Sequence, residues 1–327
     1  MLTTGKGLLA ADESSATVAK RFEAVNLENT EENRRQWRQL LLTADGIEQY
    51  ISGIILYDET IRQKDDNGTP FPEALKQKGI IPGIKVDTGA KDLALHPGEK
   101  VTEGLDGLRE RFAEYYQMGA RFAKWRAVIT IGDNIPSVAC YKANAHGMAR
   151  YAALAQEAGI VPIVEPEILL DGNHSIERCY NVTAETLDEI FVALKDQDVL
   201  MEGVILKASM VLSGKDAPDR ADVQTVAVQT VKVLKEHVPE NIAGIVFLSG
   251  GQDEEEATAH LDAMHKLGDL PWPLTFSYSR AIQNPVLDLW AKGEKEKAAA
   301  AYLFRSQADS LASQGKWSED FEKNRPY

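Results

Sequence analysis

Short apolar runs rich in β-formers alternate along the chain with longer stretches of helical periodicity. The runs cover residues 7–14, 50–59, 80–87, 120–128, 160–168, 199–207, 243–250 and 274–280. Helix-like patterns fill 30–44, 104–118, 144–158, 183–197, 221–237 and 253–267 between them. Thr30 and Thr183 stand where capping residues would open helices, and Gly119 and Gly159 stand where helices would stop before a strand. Strand–helix alternation predicts a parallel sheet. Eight such units predict an α/β fold closed as a (β/α)8 TIM barrel. An open doubly wound sheet is the alternative on pattern alone. Residues 284–314, rich in Ala and Lys, read as further C-terminal helices. The predicted division is a barrel with its C-terminal helices over 1–314 and a mobile polar tail over 315–327.

Composition narrows the field. The chain has 327 residues, 44% apolar and 26% charged, close to the globular average and large enough for a core without staples. Two cysteines, Cys140 and Cys179, exclude a disulfide framework and a Cys-rich zinc site. A net charge of −14 speaks against nucleic acid or an anionic membrane as partner. An anionic substrate would have to meet a local basic cluster. The apolar run near the N-terminus is too short for a secretory signal, and no stretch is long enough to span a bilayer. The expected location is cytoplasmic, or plastid if a transit peptide was removed.

Candidate chemistry sits where the strand runs end. The first closes in Asp12-Glu13-Ser14, the third in Lys85-Val-Asp87 and the fourth carries Lys124-Trp-Arg126. The fifth ends in Glu165-Pro-Glu167, the sixth in Lys207, the seventh in Ser249-Gly250-Gly251 and the eighth in Ser279-Arg280. Residues two apart on a strand share a face, so Lys124 with Arg126, and Glu165 with Glu167, point the same way. A single such pair reads as a solvated rim. Seven strands ending in polar groups read as convergence at the C-terminal mouth, where such barrels do chemistry. Lys207 closes an apolar run, an expensive place for an ammonium without a task. Desolvation and a neighbouring cation, Lys124, would lower its pKa and free a neutral amine for imine formation with a ketone. Glu165 and Glu167 would move the protons. Ser249-Gly250-Gly251 before a helix, with Arg280, suits a phosphate. Lys85, Arg126 and Arg21 could meet a second phosphate across the mouth. No histidine falls in these clusters, and no zinc, P-loop or dinucleotide motif is present, so no metal and no cofactor is expected.

These residues and their neighbours resemble the class I fructose-1,6-bisphosphate aldolases, the metal-independent type. The likeness runs through Leu9-Ala-Ala-Asp-Glu-Ser14, Gly83-Ile-Lys-Val-Asp87, Phe122-Ala-Lys-Trp-Arg126, Val164-Glu-Pro-Glu167, Leu206-Lys207, Phe247-Leu-Ser-Gly-Gly-Gln252 and Phe276-Ser-Tyr-Ser-Arg280. The resemblance implies a (β/α)8 barrel and reversible cleavage of fructose 1,6-bisphosphate to dihydroxyacetone phosphate and glyceraldehyde 3-phosphate. It makes Lys207 the Schiff-base lysine, Glu165 the proton-transfer glutamate and Glu167 its partner beside the lysine. Lys124 would assist imine formation and Asp12 would act at the C3–C4 bond. Ser249, Gly250, Gly251, Ser279 and Arg280 would hold the ketose C1 phosphate. Ser14, Arg21, Lys85 and Arg126 would hold the far one. Tyr327 matches a terminal tyrosine that reaches into the mouth and helps proton exchange. A homotetramer, and activity on sedoheptulose 1,7-bisphosphate or fructose 1-phosphate, are further implications; a transaldolase or a catalytically dead binding scaffold is the competing reading. The chain departs from the animal enzymes at Ala208-Ser209, at Thr17, and at Ser279, which replaces a glycine.

Overall fold

In the computed structural model, which describes residues 1–327, eight parallel strands close into one barrel. They are β1 (Gly7–Ala11), β2 (Ile51–Leu56), β3 (Ile81–Lys85), β4 (Phe122–Ile129), β5 (Val161–Ile168), β6 (Ile205–Ala208), β7 (Gly244–Phe247) and β8 (Leu274–Tyr278). Each pairs with its sequence neighbours, and β8 returns to β1 with Leu9 opposite Tyr278. This is the (β/α)8 barrel that eight alternating units predict, and the open sheet is ruled out.

Period-two alternation fills the barrel. Leu8, Ala10, Ile55, Phe122, Ile163, Ile205 and Val246 point inward and form a dry plug. The Phe122 ring occupies space that a side chain on a neighbouring strand would need. A Cβ at Gly83 would lie 2.3 Å from that ring, so the glycine follows from the phenylalanine. Truncating Phe122 would cost about 3–5 kcal/mol. The opposite faces of the strands pack against the surrounding helices in a separate, larger core.

Sequence cues set the helix ends with mixed accuracy. Thr30 caps the helix Glu31–Thr43 by accepting from the Asn33 amide, as predicted. Thr183 does not open a helix. It lies buried inside Ile176–Asp196, its hydroxyl donating to the Cys179 carbonyl, and Ser175 is the cap. Gly119 and Gly159 do end helices, with φ of 108° and 69°. The region 284–314 holds parts of two helices, Arg280–Ala291 and Lys295–Ala312, which break at Gly293 with φ 79°. The helix Ser15–Ala24 and the hairpin Gly89–Asp92/Lys100–Glu103 were not visible in the pattern. Both follow barrel strands and form walls of the mouth. No helix is long and apolar enough to cross a membrane.

The tail is seated. It carries a short helix, Glu319–Glu322, whose buried Glu322 accepts two hydrogen bonds from Arg305 at 2.8 and 2.7 Å. Tyr327 packs edge-on against Phe304, with ring centroids 6.1 Å apart.

Candidate active site

The period that fills the barrel also builds the site. Two residues above Ala10, Phe122, Ile163 and Ile205 on the same inward faces stand Asp12, Lys124, Glu165 and Lys207. The strands therefore pass from apolar plug to charged floor in one step. Above that floor opens a cavity of about 710 Å³ at the C-terminal ends of the strands, lined from all eight of them.

The floor is a chain of alternating charge. Lys207 Nζ lies 3.0 Å from Glu165 Oε1, Lys124 Nζ 2.9 Å from Glu165 Oε2, and Lys124 Nζ 2.7 Å from Asp12 Oδ2. All four side chains are buried. Glu165 Oε2 has the charge contact but no hydrogen bond of good geometry. Burial pushes the Glu165 carboxyl up, but Lys124, Lys207 and Arg126 outweigh it and bring the pKa down to about 2. Burial likewise opposes the Lys124 ammonium. Asp12, Glu165 and Asp87 overcome that and hold it above its ordinary value. The expectation that Lys124 would act on Lys207 as a bare neighbouring cation needs revision: the Glu165 carboxylate bridges the two.

Arg126 and Glu167 form a second pair on one wall. Burial disfavours the guanidinium, and Glu167 restores it above its usual value. Glu167 lines the same cavity as Lys207, and its ion-pair partner is Arg126 on the adjacent strand. Lys85 Nζ donates to Asp87 Oδ1 at 2.6 Å, and Asp87 Oδ2 accepts from the Arg126 amide at 3.2 Å. Asp87 thereby ties the end of β3 to β4. Ser209 does the same between β5 and β6: its hydroxyl accepts from the Ile168 amide at 2.9 Å. The Ser209 hydroxyl thus keeps the strand ends joined.

Two groups of donors flank the floor. On one side the amides of Ser249, Gly250, Gly251, Ser279 and Arg280 donate to no acceptor in the protein. Ser249, Gly250, Ser279 and the exposed Arg280 line the cavity, while Gly251, also exposed, does not. Orphaned amides beside a glycine turn and a helix start make an anion site. On the other side Ser14 and Thr17 share a hydrogen bond of 3.1 Å, and Lys85 and Arg126 stand opposite.

Glu13, Arg21 and Ser279, each named from the sequence, join here with Arg38, which was not, in one cluster. Glu13 receives Arg21 Nη1 at 2.5 Å, Arg38 Nη1 at 2.6 Å and the Ser279 hydroxyl at 2.6 Å. Burial works against its charge, but the two arginines and the serine bond win, and its carboxyl sits well below the usual range. Arg21 Nη2 also donates to Ser279 Oγ at 3.1 Å. The Ser279 side chain therefore braces Arg21. Arg38 carried a readable signal: it is a charge on the buried stripe of Glu31–Thr43, at helical spacing from Leu41 and Leu42.

Of the residues singled out from the sequence, all but Gly251 and Tyr327 line the cavity. Tyr327 is held near Phe304 and Arg325, with its hydroxyl buried and unpartnered.

The chain is similar to known proteins over nearly its whole length. The family model described as fructose-bisphosphate aldolase class-I matches residues 1–326. A probable fructose-bisphosphate aldolase class 1 of Xanthomonas campestris is 59% identical over 320 residues, which cover 97% of this chain and 96% of that one. A cytosolic fructose-bisphosphate aldolase of Arabidopsis thaliana is 50% identical, over 97% of this chain and 82% of its own length. Among solved structures, the fructose-bisphosphate aldolase of Plasmodium falciparum, determined with TRAP and a small-molecule inhibitor, superposes with a TM-score of 0.95. It is 48% identical and covers 97% of this chain and 92% of its own.

Proposed function

The chain belongs to the class I fructose-bisphosphate aldolase family and is a lyase of that type, and from that premise we propose that it cleaves fructose 1,6-bisphosphate reversibly through a Schiff base on Lys207. The observation that carries the reading is the Glu165 carboxylate bridging Lys207 and Lys124 at the floor of a cavity with cationic or amide donors on both sides.

The Lys207 amine adds to the C2 carbonyl, and the carbinolamine then loses water to give a protonated imine. Glu165 is the group within reach to pass protons to and from both lysines. While both ammoniums are charged it is held as a strong carboxylate. When Lys207 becomes a neutral carbinolamine nitrogen, one of those charges is gone, and Glu165 moves toward the range where it can protonate the leaving hydroxyl. Asp12, paired with Lys124, takes the proton of the C4 hydroxyl. The C3–C4 bonding electrons flow into the imine as an enamine, and glyceraldehyde 3-phosphate departs. Protonation at C3 and hydrolysis release dihydroxyacetone phosphate and restore the lysine.

Ser249, Gly250, Gly251, Ser279 and Arg280 hold the C1 phosphate. Ser14, Arg21, Lys85 and Arg126 hold the far one, and Glu167 keeps Arg126 in place. For Tyr327 to act in the mouth, the tail 315–327 must leave its seat on the 1–314 barrel. By family resemblance the enzyme is a cytoplasmic homotetramer, and sedoheptulose 1,7-bisphosphate and fructose 1-phosphate are further substrates. The test is a coupled cleavage assay in excess EDTA with all three sugars. Turnover fastest with fructose 1,6-bisphosphate and indifferent to EDTA supports the proposal. Loss of activity in EDTA, or turnover only of monophosphates, refutes it.

A further inference from the structure

The turn after β7 must keep its amides free, and the structure shows what holds it open. Gly250 and Gly251 both adopt positive φ, 51° and 89°, so the backbone reverses direction between Ser249 and Gln252. The Ser249 carbonyl accepts twice from Gln252, from its backbone amide at 3.0 Å and from its side-chain Nε2 at 2.9 Å. The other end of that side-chain amide, Oε1, lies 2.6 Å from His260 Nδ1. Gln252 and His260 are both buried, and neither lines the cavity. His260 sits on the inner face of the helix Glu254–Lys266, where side chains lean toward the helix start and so toward this turn.

The chemistry permits one arrangement. The Gln252 nitrogen must face the Ser249 carbonyl, because the flipped amide would set two acceptors 2.9 Å apart. Its oxygen then faces Nδ1, which must carry the proton. Burial, with Arg220 nearby, lowers the imidazole to about 4 against the opposing pull of Asp253. The ring is neutral at ordinary pH, with a single N–H, and this bond places it on Nδ1.

We propose that His260 is a positioning residue for the C1-phosphate subsite, acting through Gln252 to fix the Ser249–Gly250–Gly251 turn with its amides free for the anion. This rests on the reading that the turn binds the ketose phosphate. His260 touches no substrate. It locks the Gln252 amide, and that amide locks the carbonyl that sets the turn.

The test separates phosphate recognition from fold and from imine chemistry. In wild type and variants, the KM for fructose 1,6-bisphosphate is measured beside borohydride trapping of dihydroxyacetone phosphate and of unphosphorylated dihydroxyacetone. His260→Ala should raise the KM and weaken dihydroxyacetone phosphate trapping by about fivefold, the net worth of one hydrogen bond, with kcat and dihydroxyacetone trapping unchanged. His260→Gln, which keeps a donor, should recover part of the loss. Gln252→Glu keeps the oxygen facing His260 but sets a second oxygen against the Ser249 carbonyl, and should lose more. It also serves if the alanine variant does not fold. A wild type that favours the phosphorylated ketone, with variants that keep that preference, overturns the proposal alone. Equal losses with both ketones also overturn it, as a fold effect. A wild type indifferent to the phosphate overturns the subsite and the proposal together.

Discussion

Two of the buried charge clusters in this molecule make a contrast: one lies beneath the cavity at the mouth, the other beneath the C-terminal tail. At the mouth, Asp12, Lys124, Glu165 and Lys207 alternate in sign beneath an open volume, with unpartnered amides beside them. Under the tail, the fully buried Arg305 donates to both Glu322 oxygens, to the Glu254 carbonyl at 3.0 Å and to Thr258 Oγ1 at 2.7 Å. Thr258 in turn donates to Asp309 at 2.7 Å. The second cluster joins the tail to the helices, and its unpaired atoms, Arg305 Nε and Asp309 Oδ2, are buried. Buried charge alone therefore does not mark a catalytic site. What distinguishes the mouth is that its unused donors open onto space large enough for a substrate.

The sharpest way to break the comparison is to remove one lysine. Lys207→Ala should reduce aldol cleavage to background in a steady-state assay while the thermal transition survives. Residual wild-type turnover would mean that the mouth is not the reacting site. Glu165→Gln should lower kcat by about 10²–10⁴-fold, the usual worth of a positioned acid–base group, with inhibition by inorganic phosphate little altered. A large loss of phosphate binding would assign Glu165 a structural part.

Under the tail the expected loss is stability. Arg305→Ala takes from the buried Glu322 its buried partner and leaves it only the part-exposed Arg325, and breaking a buried pair in this way costs up to about 3–5 kcal/mol. Denaturant melts should show it, while trapping of dihydroxyacetone phosphate on Lys207 persists below the transition. Loss of trapping with an unshifted melt would reverse the assignment of the two clusters.

Titration should separate them as well. The Glu165 carboxyl is depressed in the folded state, so its contribution to stability is full above the ordinary carboxylate value and lost as pH falls toward about 2. The Asp309 carboxyl moves the other way: burial raises it to about 7 despite Arg305 and the Thr258 bond. The folded chain then holds a proton that the unfolded chain releases near pH 4, and stability declines as pH climbs from about 4 to 7. Asp309→Asn should flatten that decline in melts taken across the window, and an unchanged slope would show that Asp309 does not titrate there.

The smallest effect belongs to Ser279. Ser279→Gly removes the hydroxyl that donates to Glu13 and accepts from Arg21. The KM for fructose 1,6-bisphosphate should rise by less than about fivefold at constant kcat. A fall in KM would show that the hydroxyl restrains Arg21 from the phosphate.

Much of the mouth was legible because its rule is local. Period two places a residue on a known face, and eight repeats say where those faces converge, so Asp12, Lys124, Glu165 and Lys207 could be grouped before any coordinates. Pairing across strands was less legible. It depends on barrel stagger, which sets Arg126 opposite Glu165 in register yet directs its charge to Glu167. The pairing of Glu13 with Arg38 was not legible because it is tertiary: one strand end meets one helix face 25 residues on. Thr183 misled because a Thr before a polar turn reads as a cap, whereas here its hydroxyl bonds back to the preceding helical turn. The docking of the tail had no sequence signal beyond Arg305 and Glu322 themselves.

The most direct measurement is borohydride reduction of the enzyme with dihydroxyacetone phosphate in excess EDTA, followed by peptide mass mapping. A reduced three-carbon adduct on Lys207 is the expected result. An adduct on another lysine, or none on folded protein, would contradict the Schiff-base assignment.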